Sequence, residues 1–138
     1  MNYYAVIDTN VIVSAMLNPD SIPGMILKYA LAGIIIPLIN NEILNEYCDV
    51  INRDKFDFNK NDINDVLSSI KQNAITLEKT ATEEEFVDKK DIVFYEIVLT
   101  AQSKTESYLV TGNIKHFPNK PFVVTPKEMV DIINNSQF

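Results

Sequence analysis

Short apolar runs that alternate with amphipathic stretches constrain this chain more than any other feature of its sequence. The opening "NYYAVID" (2–8) has the aromatic and β-branched content of a strand, and "NVIVSAML" (10–17) can begin a helix. In "IPGMILKYALAG" (22–33), Ile26, Leu27, Ala30 and Leu31 fall at helical spacing and Gly33 supplies a stop. "IIIPLI" (34–39) then reads as a short buried strand, whose end Pro37 weakens because it has no N–H to donate. "NNEILNEYCDVIN" (40–52) sets Ile43, Leu44, Tyr47, Val50 and Ile51 on one helical stripe, with Asn40 or Asn41 as its cap. "NKNDINDVLSSIKQ" (59–72) is a further helix, "AITLE" (74–78) a strand, and "TATEEEFVDKK" (80–90) a charged connection. "DIVFYEIVLTAQSK" (91–104) predicts a helix, "ESYLVT" (106–111) a strand and "GNIKHFPNKP" (112–121) a loop. "FVVT" (122–125) and "PKEMVDIINN" (126–135) predict a last strand and a last helix, with Pro126 near the helix start.

This order requires crossover connections, and right-handed crossovers give a mostly parallel sheet with helices on both faces. An α/β fold in three layers follows. In 138 residues, 46% of them hydrophobic, one folded unit over 1–138 is expected. No basic leader precedes a long apolar stretch, and no run approaches the roughly 18 apolar residues of a membrane span. A cytoplasmic protein with no membrane association is therefore expected. The single cysteine, Cys48, excludes an internal disulfide framework and a cysteine-rich zinc site, and it is read as packing on its helix. Three glycines, in neither a GxGxxG nor a GxxxxGK[ST] pattern, argue against a glycine-rich phosphate loop. A response-regulator-like site would need paired acids near the start, which "NYYAVIDTN" lacks. The formal charge of −7 opposes generic coating of a phosphate backbone, so a nucleic-acid enzyme needs local basic patches or bound cations.

Open parallel sheets bind ligands beyond the carboxyl ends of their strands. Asp8 and Asn113 stand at two such ends, and Asp91 opens the helix that leads into the second strand. They meet only if those strands are neighbours in the middle of the sheet. A carboxylate near the apolar interior needs compensation, either from the N-terminus of the following helix or from a cation, and position alone suits Asp8 to both. Glu46 lies at the flank of the apolar stripe, one turn after Glu42, where like charges form a solvated face or a site. Asp91 is equally suited to a helix N-terminus.

Together, "DTNVIVSA", "ILNEYCDVINRDKF" and "DIVFYEIVLTAQSKTESYLVTGNIKHFP" resemble the PIN-domain nuclease family and, more narrowly, the toxins of bacterial toxin–antitoxin operons. The likeness runs in order along nearly the whole chain, with little added after Pro126. It implies a PIN-like parallel sheet between helices and acids that converge at its carboxyl edge to hold Mg²⁺ or Mn²⁺ and cleave an RNA substrate. The family's first acid falls on Asp8, its helix acid on Glu46 and its third acid on Asp91, with Asp8 and Asp91 as metal ligands. Thr9 and Asn10 match as supporting polar groups. The fourth position, usually Asp in "VTGD" or "VTRD", is Asn113 in "VTGN", which keeps an oxygen donor but loses a charge. Glu96, about one turn past Asp91, is the candidate substitute acid. The resemblance further implies a homodimer and an antitoxin protein as partner. His116 is read as a loop residue, because a metal site generates its nucleophile without a histidine base. Arg53, Lys55, Lys115 and Lys120 are candidates for contacts to substrate phosphates.

Overall fold

The structure is a computed structural model that describes residues 2–136. Its elements, in order, are β1 (Tyr3–Ile7), α1 (Thr9–Leu17), α2 (Ile22–Leu31), β2 (Ile35–Ile39), α3 (Asn41–Ile51), α4 (Lys60–Asn73) and β3 (Ile75–Thr76). After them come α5 (Ile92–Gln102), β4 (Ser107–Val110), β5 (Val123–Val124) and α6 (Pro126–Asn135). Short 3₁₀ turns at Lys89–Asp91 and Ile114–His116 flank α5 and β4. Among the described residues, no helix is long and apolar enough to cross a membrane.

The five strands are all parallel, in the order β3-β2-β1-β4-β5. The chain steps outward from β1 to β2 and β3, then returns across the sheet to β4 on the other side of β1. Right-handed crossovers that run in opposite directions put their helices on opposite faces, which gives the three-layer α/β/α arrangement. α5 lies against β1, β2 and β4, while α2 packs on β2 and meets α1, α4 and α6. The core is aliphatic: Val6, Ile7, Ile35, Ile39, Leu109 and Val110 from the strands meet Ile12, Ile26, Ile43, Ile97 and Val98 from the helices.

Several ends follow from local chemistry. Ser21 and Asn40 cap α2 and α3 through their side chains, and Thr125 with Glu128 forms a reciprocal capping box on α6. Gly33, at φ +81°, provides the left-handed residue that ends α2 and turns the chain into β2. β2 runs through Pro37 to Ile39, although Pro37 can donate nothing to the ladder. The strands expected at 74–78 and 122–125 are only two residues each, because they pair on one side, at the edges of the sheet. The loop expected at 112–121 contains the turn at Ile114–His116, and the helix expected from 91 begins with a 3₁₀ turn that ends on Asp91.

Candidate active site

The sheet order makes β1 and β4 central neighbours, with Ile7 opposite Val110. Strand order reverses there, so the carboxyl ends of these two strands form the crevice where such sheets bind ligands. Asp8 follows β1 and Thr111 follows β4. The Asp8 N–H donates to the Val110 carbonyl at 2.9 Å, and the Thr111 hydroxyl donates to Asp8 Oδ2 at 2.8 Å. Asp8 is the N-cap residue of α1, but its side chain makes no capping hydrogen bond. Its carboxylate is turned toward β4, where it accepts from Thr111 instead of capping α1.

Glu46 arrives from α3. Tyr47, buried on the apolar stripe, donates its hydroxyl to the Ile7 carbonyl and so fastens α3 to the end of β1. The preceding residue is thereby held at Thr9, whose hydroxyl donates to Glu46 Oε2 at 2.6 Å. Glu42, one turn earlier, pairs with Lys79 at 2.7 Å. Asn10 accepts the Gly112 N–H at 3.3 Å, and Thr111 Oγ1 accepts the Asn113 N–H at 3.0 Å, so the first and last motifs hold each other's loops. Asn113 itself is exposed and its side chain does not cap the turn that follows.

Asp91 enters from the start of α5. Its Oδ2 is buried and makes no well-aligned hydrogen bond, and His116 Nδ1, at 3.4 Å, is its ion-pair partner when the imidazole is protonated. Burial above all, then Asp91 and Glu46, lifts the Asp8 carboxyl to about 6, against the opposing hydrogen bond from Thr111. Burial and the neighbouring Asp88 likewise raise Asp91, with His116 working against them and Glu46 adding to the rise. Three acids from three elements therefore share a field, and among the described residues no lysine or arginine pairs with any of them. Glu96 has a different neighbour, since its charge acts on Lys79.

A groove of about 350 Å³ lies along α3, lined by Glu42, Asn45, Glu46, Asp49 and, past the helix end, Arg53, with Lys90 and Val93 from around the start of α5. Neither Arg53 nor Lys90 carries an ion pair among the described residues. The other cations singled out in the sequence are differently placed. Lys120 pairs with Glu84 at 3.6 Å and Lys55 stands over the Phe56 ring, while Lys115 is exposed within the Ile114–His116 turn. Cys48, expected to pack, is exposed: it lies off the buried stripe of Ile43, Tyr47 and Ile51.

A family model described as a PIN domain matches residues 4–115. The chain belongs to the PIN domain family. No curated protein and no solved structure matches it. The matched region contains Asp8, Glu46, Asp91 and Asn113, and PIN domains form a nuclease family. Two side-chain contacts in this PIN domain depend on the fold rather than on any local pattern. Thr111 was visible only as the Thr of "VTGN", and its bond to Asp8 depends on β1 pairing with β4. His116 reaches Asp91 because Phe117 is buried behind it and packs edge-on against Phe86, at 6.0 Å between ring centres. Among the described residues, no three His, Cys, Asp or Glu side chains form a ready-made metal cage. The donor set fits a more open arrangement. A buried carboxylate oxygen on Asp91 that makes no well-aligned hydrogen bond, beside a second raised acid, is suited to an ion tethered by two carboxylates and otherwise hydrated, as Mg²⁺ commonly is.

Proposed function

We propose that this PIN domain is a metal-dependent endoribonuclease that hydrolyses RNA phosphodiester bonds, and that it is the toxin of a toxin–antitoxin pair. The observation that carries the nuclease reading is the buried Oδ2 of Asp91, faced only by His116, sharing a field with Asp8 and Glu46 where no lysine or arginine answers their charge. Asp8 and Asp91 would hold Mg²⁺ or Mn²⁺, which when bound supplies the charge that activates water and shields the phosphoryl and leaving oxygens. Thr9 engages Oε2 of Glu46 and so orients the carboxylate, leaving Oε1 to accept a proton from the attacking water. Thr111 fixes the Asp8 rotamer, and Asn10 keeps the Gly112 loop clear of the crevice. Arg53 and Lys90 are placed to hold the phosphates of a strand lying in the groove, with Val93 offering apolar contact to a base.

The toxin reading rests on the likeness of the three sequence segments to that branch of the family. A homodimer and an antitoxin partner are supported by exposed Leu17, Ile22 and Leu31 on α1 and α2 and by an apolar groove of about 370 Å³ between α1, α2 and α4. One observation favours a second reading, an RNA- or protein-binding module with a weakened site: Asn113 replaces the fourth acid and lies exposed. Incubation of a mixed RNA pool with the purified chain, with Mg²⁺ or Mn²⁺ or with chelator, separates the two. Cleavage that needs the metal and is lost in Asp8→Asn supports the nuclease. RNA retained but uncut under every metal condition supports the binding module.

A further inference from the structure

We propose that the loop after β4 holds an unstacked adenine of the substrate strand, beside the phosphate that is cut, in a pocket based on Phe117 and Val123 and flanked by Lys115 and Lys120. The inference rests on the nuclease reading and names the base that its site selects. The pocket has a volume of about 330 Å³. Ligand pockets span roughly 300–1,000 Å³, so one of this size suits a single nucleotide. Phe117 and Val123 are buried and Ile114 is 39% exposed, so the apolar lining runs from the core out to the surface.

Its charge sets it apart. The grooves along α3 and between α1, α2 and α4, and two hollows at the amino ends of β1 and β4, each include at least one acid in their lining. This pocket has two lysines and no acid. On a chain of net charge −7, such a hollow is complementary to a ligand that carries phosphate. Lys115 has no ion pair among the described residues, and Lys120 meets Glu84 at 3.6 Å, with both of those side chains about 40% exposed. Glu84 also accepts from the Tyr95 hydroxyl. An exposed pair at that distance is weak, and a phosphate can displace it.

Asp91 stands between this pocket and the α3 groove. Lys90, the residue before it, lines the groove; its own Oδ2 faces His116 Nδ1 at 3.4 Å; and Lys115, the residue before His116, lines the pocket. A strand held by Arg53 and Lys90 on one side of the acids is thus received by Lys115 and Lys120 on the other. The loop is fixed before any ligand arrives. The His116 N–H donates to the Asn113 carbonyl at 2.9 Å, the Val123 N–H donates to the Lys120 carbonyl at 3.1 Å, and Phe117 is packed edge-on against Phe86.

Single-stranded RNA is read by splaying bases onto apolar surface and hydrogen-bonding their edges. With both lysines on phosphates, the polar side chain left in the lining is Asn119, which is exposed. Its amide offers an acceptor and a donor side by side, and adenine presents the matching amino group and ring nitrogen.

The test measures fluorescence anisotropy of the full chain in chelator, so that RNA is retained without being cut. The probes are single-stranded oligouridylate and the same oligomer with one central adenine. The adenine should tighten binding about fivefold or more. Asn119→Ala should remove that gain and leave the salt slope unchanged, whereas Lys115→Gln and Lys120→Gln should weaken both oligomers and each lower the slope by about 0.7. Glu84→Gln keeps an acceptor for Tyr95 and frees Lys120, so it should tighten both; melting curves check that every variant is folded. With Mg²⁺, cuts in a mixed-sequence RNA should fall beside adenines, and Asn119→Ala should scatter them. Retention of neither oligomer, equal affinity for both, a preference that survives Asn119→Ala, or slopes unmoved in both lysine variants overturns the proposal. RNA cut under Mg²⁺ without regard to base sinks this inference alone. An adenine preference that Asn119→Ala abolishes, on a chain that cuts no RNA with either metal, sinks the nuclease alone.

Discussion

Asp8 is 5% exposed and carries a charge at neutral pH that its surroundings oppose. Its folded carboxyl titrates near 6 against 3.8 for the free group, so the stability this shift contributes is complete below about pH 4 and is lost as pH rises through about 6. Without metal, denaturant melts across that window should show stability falling by up to about 3 kcal/mol from this group, and Asp8→Asn should flatten the fall. Asp91, shifted in the same direction, adds the same sign. Thr111→Val removes the donor that holds Asp8 down. The carboxyl should then titrate higher, as followed by carbon NMR, and the fold should lose about 1–3 kcal/mol at neutral pH. At this scale Asp8 and Asp91 stood out at the ends of apolar runs, while Glu46, in the middle of α3, was singled out by the resemblance. Thr111 and His116 were not legible, because a threonine after a strand and a histidine in a loop have no pattern of their own. Their roles come from long-range pairing and from the burial of Phe117.

The connection between α3 and β1 is the element-level device that assembles the site. Tyr47 was read correctly as part of the buried stripe, but the pattern could not foretell that its hydroxyl reaches the Ile7 carbonyl. Tyr47→Phe keeps the ring and removes that bond. It should cost about 1–2 kcal/mol in denaturant melts and lower RNA cleavage, since Glu46 loses the anchor beside it. Just past the end of this helix, Arg53→Gln, and on the 3₁₀ turn before α5, Lys90→Gln, should each weaken RNA retention and reduce the slope of affinity against salt by about one contact. An unchanged salt slope in both variants removes the groove from the substrate path. The helices were legible along most of their length because their apolar periods are long. The two-residue strands β3 and β5 were overextended, since a β-branched run does not reveal how many of its residues find a partner.

At the scale of the molecule, alternation of strand and helix foretold a parallel three-layer fold, and the order β3-β2-β1-β4-β5 is what brings residues 8, 46 and 91 together. The sequence pattern stated that condition without being able to meet it, because strand order is decided by crossovers and packing rather than by any local run. A chain of net charge −7 gains little long-range attraction to RNA, so positive potential has to be confined to the groove. In the proposed toxin, a cognate inhibitor would place a basic side chain among the acids, and inhibition should weaken when they are removed. Co-purification with the product of an adjacent small gene, with light scattering on the chain alone, checks this; a monomer with no binding neighbour contradicts the toxin reading. The central claim is that Asp8, Glu46 and Asp91 converge on a place short of positive charge, which a divalent ion relieves. Thermal melting of the metal-stripped wild type and of Asp8→Asn at neutral pH, each with and without millimolar Mn²⁺, tests it most directly. The account predicts a crossing: Asp8→Asn melts higher without metal, and the wild type rises above it when Mn²⁺ is present. A wild-type melting temperature indifferent to Mn²⁺, with Asp8→Asn no more stable than the wild type in its absence, would contradict it.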